Sequence, residues 1–278
     1  MKAEALYINL ARMPARAAFM QDQAERIGLT LHRIEAVDAQ ALQGIPPEYD
    51  PHSRRHPRWE IARSTMACFL SHRLAWRRIA EGEDDAGLVM EDDVFLSAEL
   101  PAALDRLAGL AFSDWPGSVL KLDGIDLPAR FGAIRESAGL CTREIRQTIS
   151  SAGAYVLHRR HAAALLSRSS SFCDHPDDLL FTPRSDWHPV QLTPAVAVQG
   201  VWADADMPAS VAEGEPAADP RVNQPPARGP LDYRLMKEAR RTWRRAPRRF
   251  GGDARLLREG GMIGSIPLAP DLPPYRKR

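Results

Sequence analysis

With 278 residues, 44% hydrophobic and 26% charged, the chain is long enough for a substantial core and has a globular balance. A formal net charge of +1 argues against nucleic-acid binding by the molecule as a whole. No apolar run reaches membrane-spanning length, and the N-terminus lacks the apolar stretch of a secretory signal.

Ala3 to Leu10 reads as a central strand, because its apolar run barely alternates. Pro14 suits a first helical turn, Met20, Ala24 and Ile27 recur at helical spacing, and Gly28 can end that helix. Leu31 to Val37 is the expected second strand. This strand-helix-strand opening is that of a parallel α/β fold. Residues 39–60, rich in Pro, His, Arg and Tyr, read as a loop. Ser64 or Thr65 is a candidate cap for a helix through Ile79, with Phe69, Trp76 and Ile79 on one stripe. Leu88 to Met90 is the next buried strand. Helical material follows from about Ala98 to Ala108, then a strand at Ser118–Leu122. Ala152–Leu157 is a further strand, Arg160–Leu166 a helix, and Gln191–Gln199 a late strand.

From about Trp202 the composition shifts to Ala, Pro, Asp and Glu, as in a linker. The expected organisation is a main domain over 1–200, a linker over 201–230, and a basic helical segment with a Gly/Pro-rich tail over 231–278. Cys68, Cys141 and Cys173 give neither a disulfide framework nor close metal-ligand spacing, and read as free thiols in a reducing cytoplasm.

The chemistry concentrates in Glu91-Asp92-Asp93, where an apolar strand ends in three carboxylates. Side chains two apart on a strand share a face, so Glu91 and Asp93 can point together. Ionised in a dry cleft they would repel, and a hard divalent cation would relieve that cost. A solvated acidic turn is the competing reading. Asp123 ends another buried strand two residues after Lys121, and Asp177 and Asp178 form a third acidic point. Three such points can converge on one crevice of a parallel sheet. Each also has a plainer reading, as a strand-end turn or a first helical turn. His72 on its helix reads first as an interior histidine, and Asn9 as a strand-end turn residue.

Four segments in order resemble glycosyltransferase family 25, the lipooligosaccharide and lipopolysaccharide transferases. They are Tyr7-Ile8-Asn9-Leu10 with Arg12 and Arg16, Ala67-Cys68-Phe69-Leu70-Ser71-His72, Met90-Glu91-Asp92-Asp93-Val94 and Lys121-Leu122-Asp123. Ser151 to Leu157 and Pro176-Asp177-Asp178-Leu179 extend the resemblance over about residues 3–200. It implies a GT-A-type α/β fold, with a Rossmann-like, mostly parallel sheet flanked by helices. It also implies an inverting transfer of a sugar, galactose first, from a UDP-sugar to a hydroxyl of a lipopolysaccharide or other surface glycan. On the same basis Asp93 is the main ligand of Mn²⁺ or Mg²⁺, with Glu91 or Asp92 assisting. Asn9 and Arg12 lie near the nucleotide, His72 shares the site, and Lys121 contacts a phosphate or fixes a carboxylate. The base is Asp178 or Asp177, with Asp123 next. A non-catalytic nucleotide-sugar or glycan-binding protein on the same fold is the alternative. Without the resemblance, another α/β enzyme using a metal and a phosphate ester remains.

Arg234, Lys237, Arg240, Arg241, Arg244, Arg245, Arg248 and Arg249 form a local positive field, with Leu235, Met236, Ala239 and Trp243 on an apolar side. Such a helix can lie on an anionic membrane surface, which suits a lipid-linked saccharide acceptor at the inner leaflet. A solvated or domain-packed helix is the plainer reading. The expected location is cytoplasmic, with peripheral contact at the inner membrane. No nucleic-acid partner is expected.

Overall fold

In the computed structural model, residues 3–108, 110–208, 227–247 and 251–277 are described. The strands are β1 (Ala3–Asn9), β2 (His32–Glu35), β3 (Ala86–Glu91), β4 (Val94–Leu96), β5 (Val119–Lys121) and β6 (Asp123–Gly124). They continue with β7 (Ala129–Ser137), β8 (Leu140–Ile145), β9 (Ala154–His158), β10 (Pro189–Leu192), β11 (Ala197–Gln199) and β12 (Met262–Gly264). The helices are α1 (Pro14–Ile27), α2 (Arg63–Glu81), α3 (Leu100–Ala108), α4 (Arg159–Arg168), α5 (Pro176–Phe181), α6 (Leu231–Pro247) and α7 (Asp253–Arg258).

One large sheet runs in the order β12-β7-β8-β10-β5-β9-β3-β1-β2. Its strands β1, β2, β3, β5, β7 and β10 point one way, while β8, β9 and β12 point the other. The expected α/β architecture is present, with a mixed sheet in which most strands share a direction. A smaller sheet, β4-β11-β6, sits beside it.

The core explains the order. β1 and β3 are buried along most of their length, since apolar groups cover both faces. One layer gathers Leu6, Phe69, Trp76, Val89 and Tyr155; the other gathers Tyr7, Met20, Leu88, Leu104 and Val156. The alternation of Leu6 with Tyr7 and of Leu88 with Val89 between layers is the period of a strand. Helix α2 approaches β3 closely at Gly87, where an added Cβ would lie 2.4 Å from Ile79 Cγ1. Only glycine permits that contact without displacing Ile79.

Three elements differ from the sequence expectation. The late strand is two: β10 belongs to the large sheet and β11 to the small one, with Thr193-Pro194 between them. A proline nitrogen offers no ladder hydrogen bond, so the switch of sheet falls there. The β7–β8 hairpin was not expected. Its turn places Ala138 and Gly139 at positive φ (51° and 72°), as a two-residue hairpin turn needs. Helix α2 starts at Arg63, and its N-cap is Ala62 without a side-chain cap bond, so neither Ser64 nor Thr65 caps it.

The C-terminal tail is built into the body. β12 pairs with β7, Ala195 bridges Leu268, and Ala203 bridges Tyr275. Ala269 and Leu272 pack on Val198 and Ala203, while Asp271 accepts hydrogen bonds from Ser97 Oγ and the Ala98 N–H, both 2.7 Å. The expected linker falls largely on 209–226, outside the described residues, as do Arg248, Arg249 and the side chains of Arg244 and Arg245. No described helix is long and apolar enough to cross a membrane.

Candidate active site

The carboxyl ends of β1 and β3 open on a cleft of about 380 Å³. Ile8, Leu10, Met13 and Val37 give it an apolar wall. Arg12, Arg16, His72 and the acidic triplet Glu91-Asp92-Asp93 supply the polar side. A second hollow of about 330 Å³ shares Ser64, Cys68 and Glu91 with it and adds Ser151, Asp177 and Gln199. The two share one acidic divide, at Glu91.

Each member of the triplet has its own environment. Asp92 is held from behind: Asn9 Nδ2 donates to it at 2.7 Å and Arg16 at 3.2 Å. Asn9 is buried and also donates to the Met13 carbonyl, which makes it a positioning residue for the cleft wall. Glu91 accepts from Gln199 Nε2 and lies 3.2 Å from His72 Nε2. Asp93 shares the same Gln199 amide at 3.2 Å. Burial, and then the Glu91 charge, push the Asp93 carboxyl up to about 7.

His72 is 1% exposed. Trp76 Nε1–H donates to the Tyr155 hydroxyl at 2.8 Å, so that hydroxyl is free to donate to His72 Nδ1, also at 2.8 Å. The proton then sits on Nε2 and faces Glu91. The chain Trp76–Tyr155–His72–Glu91 fixes one tautomer and aims one carboxylate.

Two donor sets meet at Glu91. Single ligand atoms of Cys68, His72 and Glu91 lie within 4.8 Å of one another. That set combines a thiol and an imidazole with a single carboxylate, softer donors than Mn²⁺ or Mg²⁺ prefer. The oxygen pair Glu91–Asp93 fits better. It holds two carboxylates around one amide in a half-buried hollow, a charge excess that a hard cation relieves.

Beneath this pair lies a buried network. Lys121 and Asp123 are 0% exposed and paired at 2.6 Å. Burial opposes both charges, lowering Lys121 and raising Asp123, while their mutual attraction offsets it. Asp123 Oδ1 also accepts from the Ala154 N–H at 3.1 Å, and Lys121 donates to the Ser151 carbonyl at 2.5 Å. Ser151 is the junction. Its hydroxyl lies 2.5 Å from both Asp123 Oδ2 and Gln199 Oε1, and its N–H donates to Asp177 at 3.2 Å. It does so at φ +74°, a conformation that costs a serine about 1 kcal/mol or more.

The expected site residues therefore divide. Glu91, Asp93, His72, Arg12 and Asp177 line the two joined hollows. Asn9 and Asp92 brace them. Lys121 and Asp123 come to the same region but are fully buried, so neither reaches a phosphate or an acceptor hydroxyl as they stand; both act through Ser151. Asp178 points elsewhere. Arg58 grips it with Nε at 3.0 Å and a terminal nitrogen at 2.8 Å, and it lines a different groove. Asp177 is left as the half-buried carboxylate open to the cleft. Burial and the Asp178 charge raise its pKa. Sequence reading missed Gln199 and assigned no role to Ser151, Arg16 or Tyr155. The one available signal for Ser151 was its place before Ala152-Gly153 at a strand entry.

Comparison with known proteins gives a family match over part of the chain. Residues 3–111 match the model of glycosyltransferase family 25 (LPS biosynthesis protein), so the resemblance noted in the sequence holds there. A Drosophila pseudoobscura pseudoobscura protein named glycosyltransferase 25 family member is 32% identical over 31% of this chain and 15% of its own length. Human procollagen galactosyltransferase 2 is 30% identical over 37% of this chain and 18% of its own. A rat protein named probable inactive glycosyltransferase 25 family member 3 is 28% identical over 37% of this chain and 19% of its own. The matched stretch thus spans less than a fifth of each of these relatives. Among solved structures, mannose-1-phosphate geranyltransferase from Thermus thermophilus covers 69% of this chain and 74% of its own, at 10% identity and a TM-score of 0.33, too slight a likeness to argue from.

Proposed function

We propose that the chain transfers a sugar from a nucleotide diphosphate sugar to a saccharide hydroxyl, with UDP-galactose the first donor to test. One observation carries this reading. Every residue lining the larger cleft falls between Ile8 and Asp93, inside the stretch that matches the family. The apolar wall suits a base, and Arg12 and Arg16 supply positive charge toward phosphates. A bound Mn²⁺ or Mg²⁺, held by Asp93 with Glu91, would offset charge on the departing UDP.

The remaining steps belong to the protein. Asp177 takes the proton of the acceptor hydroxyl as its oxygen attacks the anomeric carbon. The bond from that carbon to the phosphate oxygen breaks, its electron pair leaves with UDP, and configuration inverts. A base is more effective when its pKa lies near the working pH, and burial moves Asp177 in that direction. Ser151 holds Asp177 through its N–H while its hydroxyl reaches Gln199, so base and cation site share one support.

The test is a panel of nucleotide sugars with a saccharide acceptor, run with Mn²⁺ and with a chelator. Metal-dependent release of UDP is the expected result, and full turnover under rigorous chelation would sink the cation assignment. Asp177→Asn should keep UDP affinity and lose turnover by about 10²-fold or more. Asp178→Asn should retain turnover within a few-fold, and the reverse ranking would move the base. UDP binding with no turnover on any donor would favour the non-catalytic reading, to which the rat relative's name gives some support.

A further inference from the structure

Beyond α5 lies a groove of about 600 Å³ whose charge is opposite to that of the cleft. Arg55, Arg168, Arg184, Lys237, Arg240 and Arg241 line it. Its acids are Asp174 and Asp178, and Asp178 is already gripped by Arg58. Among the described residues no hydrogen bond or ion pair engages the Lys237 ammonium. Arg168 is paired with Asp186 at 2.6 Å and Arg241 with Glu238 at 3.4 Å, so the positive field is carried mainly by Arg55, Lys237 and Arg240, and an anion there would gain charge-assisted hydrogen bonds from more than one element.

The uncharged lining is mixed: Pro57, Tyr233 and Met236 give it an apolar side and Gln147, Thr148 and Thr182 a polar one. Gln147, Thr148 and Thr182 continue the groove into a neighbouring hollow of about 610 Å³. Amide and hydroxyl groups there suit sugar hydroxyls better than they suit an acyl chain. Location supplies the link to catalysis. Asp177 lines the cleft and Asp178 the groove, and they are consecutive residues in the first turn of α5. The groove and the cleft thus meet across one turn of α5.

We propose that this groove is the acceptor subsite, and that the acceptor is an anionic saccharide carrying phosphate or carboxylate groups. Its role as a subsite rests on the glycosyl-transfer reading; its binding chemistry does not. Helix α6 therefore presents two faces. Lys237, Arg240 and Arg241 serve the groove, while Leu231, Leu235 and Trp243 are 72%, 71% and 82% exposed.

Titration calorimetry on the full chain, with saturating UDP and Mg²⁺, tests this with glucose 1,6-bisphosphate, glucose and inorganic phosphate as probes. The bisphosphate should bind most tightly and weaken as salt rises. The double variant Lys237→Ala/Arg240→Ala should lose about tenfold in affinity per charge contact removed, with UDP binding unchanged. Equal affinity for glucose and the bisphosphate, or an unaffected variant, would overturn the proposal. Phosphate binding as well as the bisphosphate would overturn its saccharide half. Anionic phospholipid vesicles that depend on the same two residues, while the bisphosphate does not bind, would assign the charges to a membrane and overturn it as well. Failure of UDP to bind, with bisphosphate affinity intact, would instead strike the glycosyl-transfer reading and leave the groove as an anion site.

Discussion

Asp93→Asn should melt at a higher temperature than the wild-type chain in chelated buffer at pH 8, and should lose sugar transfer by about 10²-fold or more. The two effects have one origin. In the folded protein burial and the Glu91 charge raise the Asp93 carboxyl to about 7, far above the roughly 3.9 of an unfolded chain. A group raised in this way contributes stability fully below its unfolded value. That contribution is lost as pH rises through about 7, because the folded state then holds a charge it disfavours. Stability of the metal-free wild type should accordingly fall between about pH 4 and pH 7, and Asn, which never ionises, should flatten that slope. Adding Mn²⁺ at pH 8 should raise the melting temperature of the wild type and leave Asp93→Asn unmoved. Cation affinity should climb with pH up to about 7, since the proton and the metal compete for one carboxylate. Thermal melts across pH, with and without chelator, measure all of this. Identical melts and near-normal transfer by the variant would remove Asp93 from the site.

Lys121→Met should destabilise the fold by about 3–5 kcal/mol, because it leaves Asp123 ionised, buried and short of its counter-charge. The double change Lys121→Met/Asp123→Leu should recover a large part of that loss, since an apolar pair needs no compensation in a dry interior. Recovery of stability should not restore turnover. Without Asp123 the Ser151 hydroxyl keeps only Gln199, and without Lys121 the strained Ser151 backbone loses the donor at its carbonyl. Urea unfolding of the two single variants and the double variant gives the coupling. A single variant within about 1 kcal/mol of wild type would show that the pair is not ionised in the folded protein.

The legible parts of the sequence were those where one physical signal dominates. β1, β3 and β9 are continuous apolar runs because both of their faces are covered, and α2 shows a clean stripe at Phe69, Trp76 and Ile79. The acidic triplet stood out because a buried apolar strand runs straight into three carboxylates, but its placement was not readable: only Glu91 ends β3, and Asp92 and Asp93 form the half-buried turn into β4. The β7–β8 hairpin was not readable. The outer half of β7 is exposed on both sides, so Arg135, Glu136 and Ser137 show no alternation, and only the turn at Ala138-Gly139 marks it. Asp177 and Asp178 could not be ranked either. Consecutive residues in a helix turn diverge by about 100°, and the positions of Ser151, which holds Asp177, and Arg58, which holds Asp178, decide which faces the cleft. Gln199 carries no local signature at all; it matters because the register of β11 against β4 sets it over Glu91 and Asp93.

The woven C-terminus sets a rule for anyone trimming this protein. A fragment stopped near residue 200 would strip the partner from β7, baring a row of unpaired amides and carbonyls. It would also uncover Val198, one residue from the glutamine that steadies both carboxylates. Such a piece invites strand-to-strand self-association. A shortened chain meant to resist such self-association should keep residues 262–277 and be cut elsewhere.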